Sequence, residues 1–184
     1  MFETQDELDD LDALLARSFS GAGEHLNGII SASRRLDARD LARYLTGVRH
    51  LVVATTTSTG EPRCSAVDGL FVHGSLWFST SSSSYKARHL EARPALSAAH
   101  VRGDDVGVFV HGSARLVVGG SMEAGALAPI WRDLYGGTPE DWSDAPTEAR
   151  YVQIVAARLF TYAFSRERFE ALVTPVPDCE QDEI

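Results

Sequence analysis

From residue 48 onward the chain is a series of short β-rich segments joined by turns, and this pattern constrains the fold more than any other feature. Six segments are rich in the β-branched and aromatic residues typical of strands: 48–57, 63–72, 76–80, 95–102, 106–118 and 150–165. Tight turns at 58–62 and 73–75 separate the first three segments. Tight turns join antiparallel neighbours, and closing the sheet removes its unpaired edges. The pattern therefore predicts an antiparallel β-barrel.

Helices are predicted before and within this strand series. Leucines recur at helical spacing in residues 4–17, and Asp37 is a candidate N-cap for a short helix through Tyr44. Residues 85–93 read as a helix that a proline closes, and another helix extends to residue 135. Because the helix at 85–93 interrupts the strands, we do not expect a simple up-and-down barrel.

Three parts are expected along the 184 residues. Residues 1–45 form a helical N-terminal extension, residues 46–170 form the barrel, and residues 171–184 form a polar, acidic tail. A chain of this length buries roughly 70% of its unfolded surface, so it can build a core without disulfides or metals.

The formal net charge of −9 argues against a nucleic-acid partner, because such binding depends on clustered Lys and Arg. It argues in the same way against an anionic membrane surface, and no apolar run approaches the roughly 20 residues that span a bilayer. The acidic start has no secretory signal pattern. Cys64 and Cys179 form no CxxC pair and are expected to be free thiols, and the histidines are not clustered as metal ligands are. We therefore expect a cytoplasmic protein without a metal site.

The loop from Ser79 to Lys86 is the stretch most suggestive of a ligand. A strand ends there, four serines follow at 81–84, and a helix begins with Lys86 in its first turn. The first N–H groups of a helix have no partner, and the dipole is positive there, so the stretch suits an anion such as a phosphate. The alternative is that Ser83 or Ser84 caps the helix and the other serines form a solvated loop.

The second strand offers further polar groups for the same place. By strand alternation Arg63, Ser65 and Val67 share one face, and the following strand is adjacent. Arg63 and Ser65 are therefore expected near Thr80 and Lys86, unless Arg63 lies on a solvated edge. His89 shares a helix face with Lys86 and lies either near the anion or at the surface.

Four motifs in this order resemble one known family. They are Thr-Gly-Glu-Pro-Arg-Cys-Ser-Ala-Val at 59–67, Leu-Trp-Phe-Ser-Thr at 76–80, Ser-x-Lys-x-Arg-x-Leu at 84–90 and Val-x-Val-x-Gly-x-Ala-x-Leu at 108–116. Over residues 45–165 the chain resembles the pyridoxamine 5′-phosphate oxidase-like flavin-binding split-barrel superfamily.

The resemblance implies a mainly β fold with flanking helices, a six-stranded antiparallel split β-barrel. It implies a homodimer with FMN at the subunit interface. The cofactor-binding residues that it implies are Arg63, Ser84 and Lys86 for the phosphate, Ser79 and Thr80 at the end of the third strand, and Ser65 and Val67 along the ribityl chain or ring.

The sequence departs from the oxidases that act on pyridoxamine phosphate. Asp68 and Tyr85 stand where those enzymes place basic residues, and no Trp follows Trp142. We therefore expect an FMN-dependent oxidoreductase that exchanges a hydride between the flavin and a small organic substrate or NAD(P)H. No catalytic acid or base is identified. The alternatives are a reductase of the same fold that uses the deazaflavin coenzyme F-420, and a non-catalytic flavin or haem binder with His111 or His89 as axial ligand.

Overall fold

The computed structural model describes residues 2–173. Most of the predicted polar tail, with Cys179, lies outside these residues. Within them the chain forms six strands: β1 (Arg49–Thr56), β2 (Pro62–Val72), β3 (Ser75–Ser81), β4 (Ala95–Arg102), β5 (Val106–Val118) and β6 (Ala149–Ala163). They close into a barrel in the order β1-β2-β3-β6-β5-β4, and every pair is antiparallel. This confirms the predicted split β-barrel fold class.

Helices flank the barrel: α1 (Gln5–Ser20), α2 (Glu24–Ile29), α3 (Ala38–Tyr44), α4 (Tyr85–Ala92), α5 (Met122–Tyr135) and α6 (Arg166–Val173). Asp37 caps α3, as the sequence predicts, because its side chain accepts a hydrogen bond from the Asp40 amide. α1 packs against β6 through leucines on one face. α6 was not predicted. It begins after Ser165, whose hydroxyl accepts from the Arg168 amide, and it buries Phe169 completely.

The core has two main layers. Inward-facing side chains such as Leu51, Phe78 and Val108 fill the barrel. Outside it, Trp77 of β3 and Trp131 of α5 pack edge to face with ring centroids 6.3 Å apart, which joins α5 to the barrel wall. No helix within residues 2–173 is both long and apolar enough to cross a bilayer.

A half-buried histidine, His100, joins α3 to the barrel wall. His100 Nδ1 donates to the His50 carbonyl at 2.9 Å, because a carbonyl can only accept, and Nε2 then accepts from the Tyr44 hydroxyl at 3.0 Å. Burial lowers the pKa of His100, and this effect outweighs the opposing hydrogen bond to the carbonyl. The fold therefore favours the neutral form of His100.

The longest strand pair bends at one glycine. The register between β5 and β6 shifts at His111/Gly112, which marks a β-bulge. A Cβ on Gly112 would lie 2.1 Å from the carbonyl oxygen of Val155, so the two backbones approach too closely for any other residue.

β2 and β3 pair along only part of their length. The ladder joins Gly69–Val72 to Ser75–Phe78. Beyond it, residues 62–68 of β2 pair with β1 among the described strands, and residues 79–81 of β3 pair with β6. α4 follows β3 directly and contacts both β1 and β3. The separated strand ends and α4 together form the surroundings of the candidate site.

Candidate functional site

A pocket of about 430 Å³ lies between α4 and the separated end of β2. Its lining residues are polar or aromatic: Thr55, Thr57, Arg63, Cys64, Ser65, Tyr85, Lys86 and His89. No Asp or Glu is among the lining residues that the structure describes. The pocket therefore presents hydroxyl and cationic donors without an internal counter-charge.

Two hydroxyls fix the start of α4. Ser84 is the N-cap, and its Oγ accepts from the Ala87 amide at 3.0 Å. The same oxygen lies 3.0 Å from Oγ1 of Thr80 at the end of β3. The Ser82 amide donates to the Glu148 carbonyl at 2.8 Å, which ties the serine loop to the barrel. These contacts position the first turn of α4, and with it Lys86.

Lys86 is the least compensated charge in the pocket. Its side chain is half-buried, and burial alone lowers the pKa of its ammonium group. An acidic partner would raise the pKa, and none contributes from residues 2–173. Lys86 is a residue of the first turn of α4, where the helix dipole adds further positive potential. An anion is the ligand that would compensate it.

Arg63 brings a second cation from the strand. It is the register partner of Thr55, and its guanidinium pairs with Glu61 at 2.8 Å. The Arg63 side chain is 58% exposed, so it is free to reorient toward a ligand. Arg63 has thus both a pocket-lining position and a solvated edge, the two alternatives that the sequence left open.

The predicted site residues do not all line this pocket. Arg63, Ser65 and Lys86 line it together. Thr80 and Ser84 bond to one another at the start of α4, and Ser79 lies on the opposite face of β3 from Thr80. Val67 is buried in the barrel interior, two residues from Ser65 on the same face of β2. Their roles toward a cofactor stay predictions.

Thr55 and His89 also line the pocket. The sequence placed His89 either near the anion or at the surface, and it did not single out Thr55. The Oγ1 atom of Thr55 lies 3.0 Å from Nδ1 of His89. Thr55 resembles any β-branched strand residue, so its sequence carries no signal of a site. The spacing of His89 from Lys86 was such a signal, because residues three apart share a helix face.

A second polar cluster lies on the outer face of β2. Asp68 accepts from Nδ1 of His50 at 2.8 Å and from the hydroxyl of Tyr135, which packs against Trp142 at 5.3 Å. The hydrogen bond to Asp68, with burial and the carboxylate charge, raises the pKa of Tyr135 to about 12. The cluster ties the end of α5 to the barrel.

Solved structures match this chain in fold. A conserved hypothetical protein, Rv2991, from Mycobacterium tuberculosis has a TM-score of 0.60 and 22% identity, covering 80% of this chain and 94% of that one. The heme storage protein HutZ from Vibrio cholerae has a TM-score of 0.59 and 17% identity, covering 71% of this chain and 97% of its own. A FAD-binding protein from Mesorhizobium loti has a TM-score of 0.54 and 20% identity, covering 70% of this chain and 93% of its own.

An F420 reductase also matches in fold, and so does a heme-binding protein from Mycobacterium smegmatis. No protein-family model and no curated protein matches the sequence. The structural likeness confirms, at the level of fold, the resemblance to flavin-binding split barrels.

Proposed function

We propose that this protein binds FMN with its phosphate in the pocket beside α4, and that it is a flavin-dependent oxidoreductase. The observation that carries the proposal is the half-buried Lys86, which has no acidic partner in residues 2–173 and lines a carboxylate-free pocket with Arg63. A phosphate monoester needs N–H and O–H donors and positive charge, and this donor set supplies both. The residues therefore fit the group.

Each lining residue has a distinct part in holding the phosphate. Lys86 supplies a point charge, and Arg63 supplies a planar fork that can contact two oxygens. The hydroxyls of Ser65 and Thr57 are further donors on the same pocket wall. A pocket of about 430 Å³ is within the usual range for small-molecule sites.

When bound, a flavin supplies the hydride chemistry, and the protein binds and orients it. The side chains of this pocket fix the phosphate end and so hold the cofactor in one register. No acid or base is assigned, because a hydride exchange at the ring requires none from the residues described here.

We further propose a homodimer whose interface adjoins the pocket. Val52, on the outer face of β1, is 52% exposed, and its register partners are Ala66 on β2 and Ala99 on β4. Val101, farther along β4, is 53% exposed. Ala66 of this small apolar face lies two residues from Cys64, which lines the pocket and points to the same face of β2. An uncovered apolar face marks an interaction surface. A second copy seated there would help to enclose a ligand, and the proposed location remains cytoplasmic.

Two alternatives follow from the printed names of matching structures. The F420 reductase favours the deazaflavin coenzyme, whose phosphate would use the same cations. The heme storage and heme-binding proteins favour haem, for which an exposed His111, with Nδ1 2.8 Å from the Ser97 hydroxyl, or His89 would serve as axial ligand.

The visible spectrum of the protein, purified without added cofactor and then titrated with each candidate, tests the proposal. FMN binding, with bleaching of the flavin bands by NAD(P)H or another reductant substrate, is the expected result. If the deazaflavin coenzyme raises the thermal stability of the protein more than FMN does, the assigned cofactor changes from FMN to the deazaflavin coenzyme. A haem Soret band without flavin binding would contradict the proposed function.

A further inference from the structure

His89 lines the same pocket and has no part in the function proposed above. It follows Lys86 by three residues on α4, so both side chains lie on one helix face. Its Nδ1 atom is 3.0 Å from Oγ1 of Thr55, which is only 3% exposed. Thr55 is also the register partner of Arg63. The His89 ring thus extends from α4 to β1, the strand on the other side of the pocket.

The contact with Thr55 determines what His89 can offer to a ligand. With Nδ1 engaged by the threonine hydroxyl, Nε2 is the ring nitrogen that remains. A neutral imidazole carries one N–H, whereas a protonated imidazole carries two and a full charge. A phosphate oxygen at Nε2 would receive a charged hydrogen bond only from the protonated ring.

We infer that His89 is a third phosphate ligand of this pocket, and that it takes up a proton when a dianionic phosphate binds. Affinity for FMN then falls as the pH rises, because proton uptake accompanies binding. The inference rests on the proposed function for the choice of FMN as ligand.

The charges around His89 support this coupling. α4 contributes Lys86 and the phenol of Tyr85, and β2 contributes Arg63 and the thiol of Cys64. Thr55 of β1 and Thr57 just after it contribute hydroxyls to the lining. Glu61, which precedes β2 in the chain, is paired with Arg63. The two cations have the sign of a protonated imidazole, so a bound dianion is what would offset all three.

The test is calorimetric titration with FMN at about pH 6.5 and about pH 8, in buffers of different ionisation enthalpy. A phosphate monoester loses its second proton near pH 6, so FMN is mainly dianionic over this range. A single coupled proton changes affinity by at most about tenfold per pH unit. We expect FMN to bind roughly five- to tenfold more weakly at the higher pH, with a net uptake that averages about half a proton over this range.

His89→Asn retains an amide near Thr55 but removes Nε2. This variant should bind FMN at both pH values with about the affinity of the wild type at the higher pH, and without proton uptake. His73→Asn is the matched control. It lies in the β2–β3 turn at a φ of 52°, a conformation that Asn tolerates, and it should keep the wild-type pH dependence.

Inorganic sulfate, a dianion throughout this range, is the second probe, followed by NMR of the histidine ring signals. FMN binding that is equal at both pH values, or equally pH-dependent in His89→Asn, overturns the inference and leaves the proposed function standing. Sulfate binding with a His89-dependent pH profile, but no FMN binding, supports His89 as an anion ligand and overturns FMN as cofactor. Binding of neither probe overturns both.

Discussion

Replacing Lys86 with methionine should weaken FMN binding strongly while leaving the fold intact. Burial lowers the pKa of Lys86, and no carboxylate among the described residues offsets that effect. The bound phosphate would therefore be the main compensation for this charge. Hydrogen bonds to charged groups contribute about 1.5–3 kcal/mol, which corresponds to roughly 10- to 150-fold in affinity. Methionine retains most of the aliphatic stem, so the packing of α4 should persist.

Arg63→Ala should have a smaller effect than Lys86→Met. The Arg63 side chain is 58% exposed, and Glu61 at 2.8 Å already compensates part of its charge. We therefore expect a loss near the lower end of the same range, about 1.5 kcal/mol or roughly tenfold. The structure thus predicts an order of effects as well as their size.

Titration of FMN fluorescence at fixed pH and ionic strength measures both losses. Arg88→Ala is the control, because Arg88 is an exposed cation of the same helix that stacks over the Tyr85 ring at 4.6 Å and does not line the pocket. Its affinity should match that of the wild type. The reasoning is refuted if Lys86→Met binds FMN like the parent, or if Arg88→Ala loses as much affinity, since that would indicate a general charge effect.

Three further predictions concern the fold and its assembly. Gly112→Ala should destabilise the protein by about 1–3 kcal/mol or more, because the new Cβ would meet the Val155 carbonyl. Gly125→Ala, in open space within α5, should instead stabilise the protein by up to about 1 kcal/mol. Urea denaturation compares the two variants, and equal effects would contradict the bulge geometry. The pKa of His100 is lowered in the folded protein, so the unfolded chain binds the proton first as the pH drops. The free energy of unfolding should therefore fall as the pH drops through about 6.5, and it should level off once folded His100 is protonated. His100→Asn should reduce this pH dependence, and an unchanged dependence would assign it to other groups. Val52→Asp should convert a dimer to a monomer in sedimentation velocity, and a wild-type monomer would rule out the proposed interface.

The strand series was predictable from sequence because its signals are local. β4 and β5 have the predicted bounds, since turn residues mark each end clearly. α6 was missed because its eight residues have little amphipathic pattern, and its stability comes from the burial of Phe169. The strand order of the barrel depends on long-range pairing of β3 with β6, for which a single sequence carries no signal.

The site was predictable only where residues are close in sequence. Ser84 and Lys86 lie in one short stretch. Its serines, the start of a helix and the lysine together suited an anion, with a simple helix cap as the alternative. Arg63 was expected beside them because β2 and β3 were expected to be adjacent. It does line the pocket with Lys86, but at Arg63 the described partner of β2 is β1 and not β3. Thr55 was not expected, because its contact with His89 spans 34 positions and depends on how α4 lies across β1.

The early separation of β2 from β3 has a consequence for solubility. Within residues 2–173, each separated end has a ladder partner on one side only, and such edges can pair with strands of other molecules. α4 packs against β1 and β3 beside this opening, so the helix that carries Lys86 also guards exposed strand edges. A ligand that contacts both α4 and the barrel would then stabilise the covered state of these edges and reduce aggregation. Protein made without its ligand should precipitate more readily than protein that holds one.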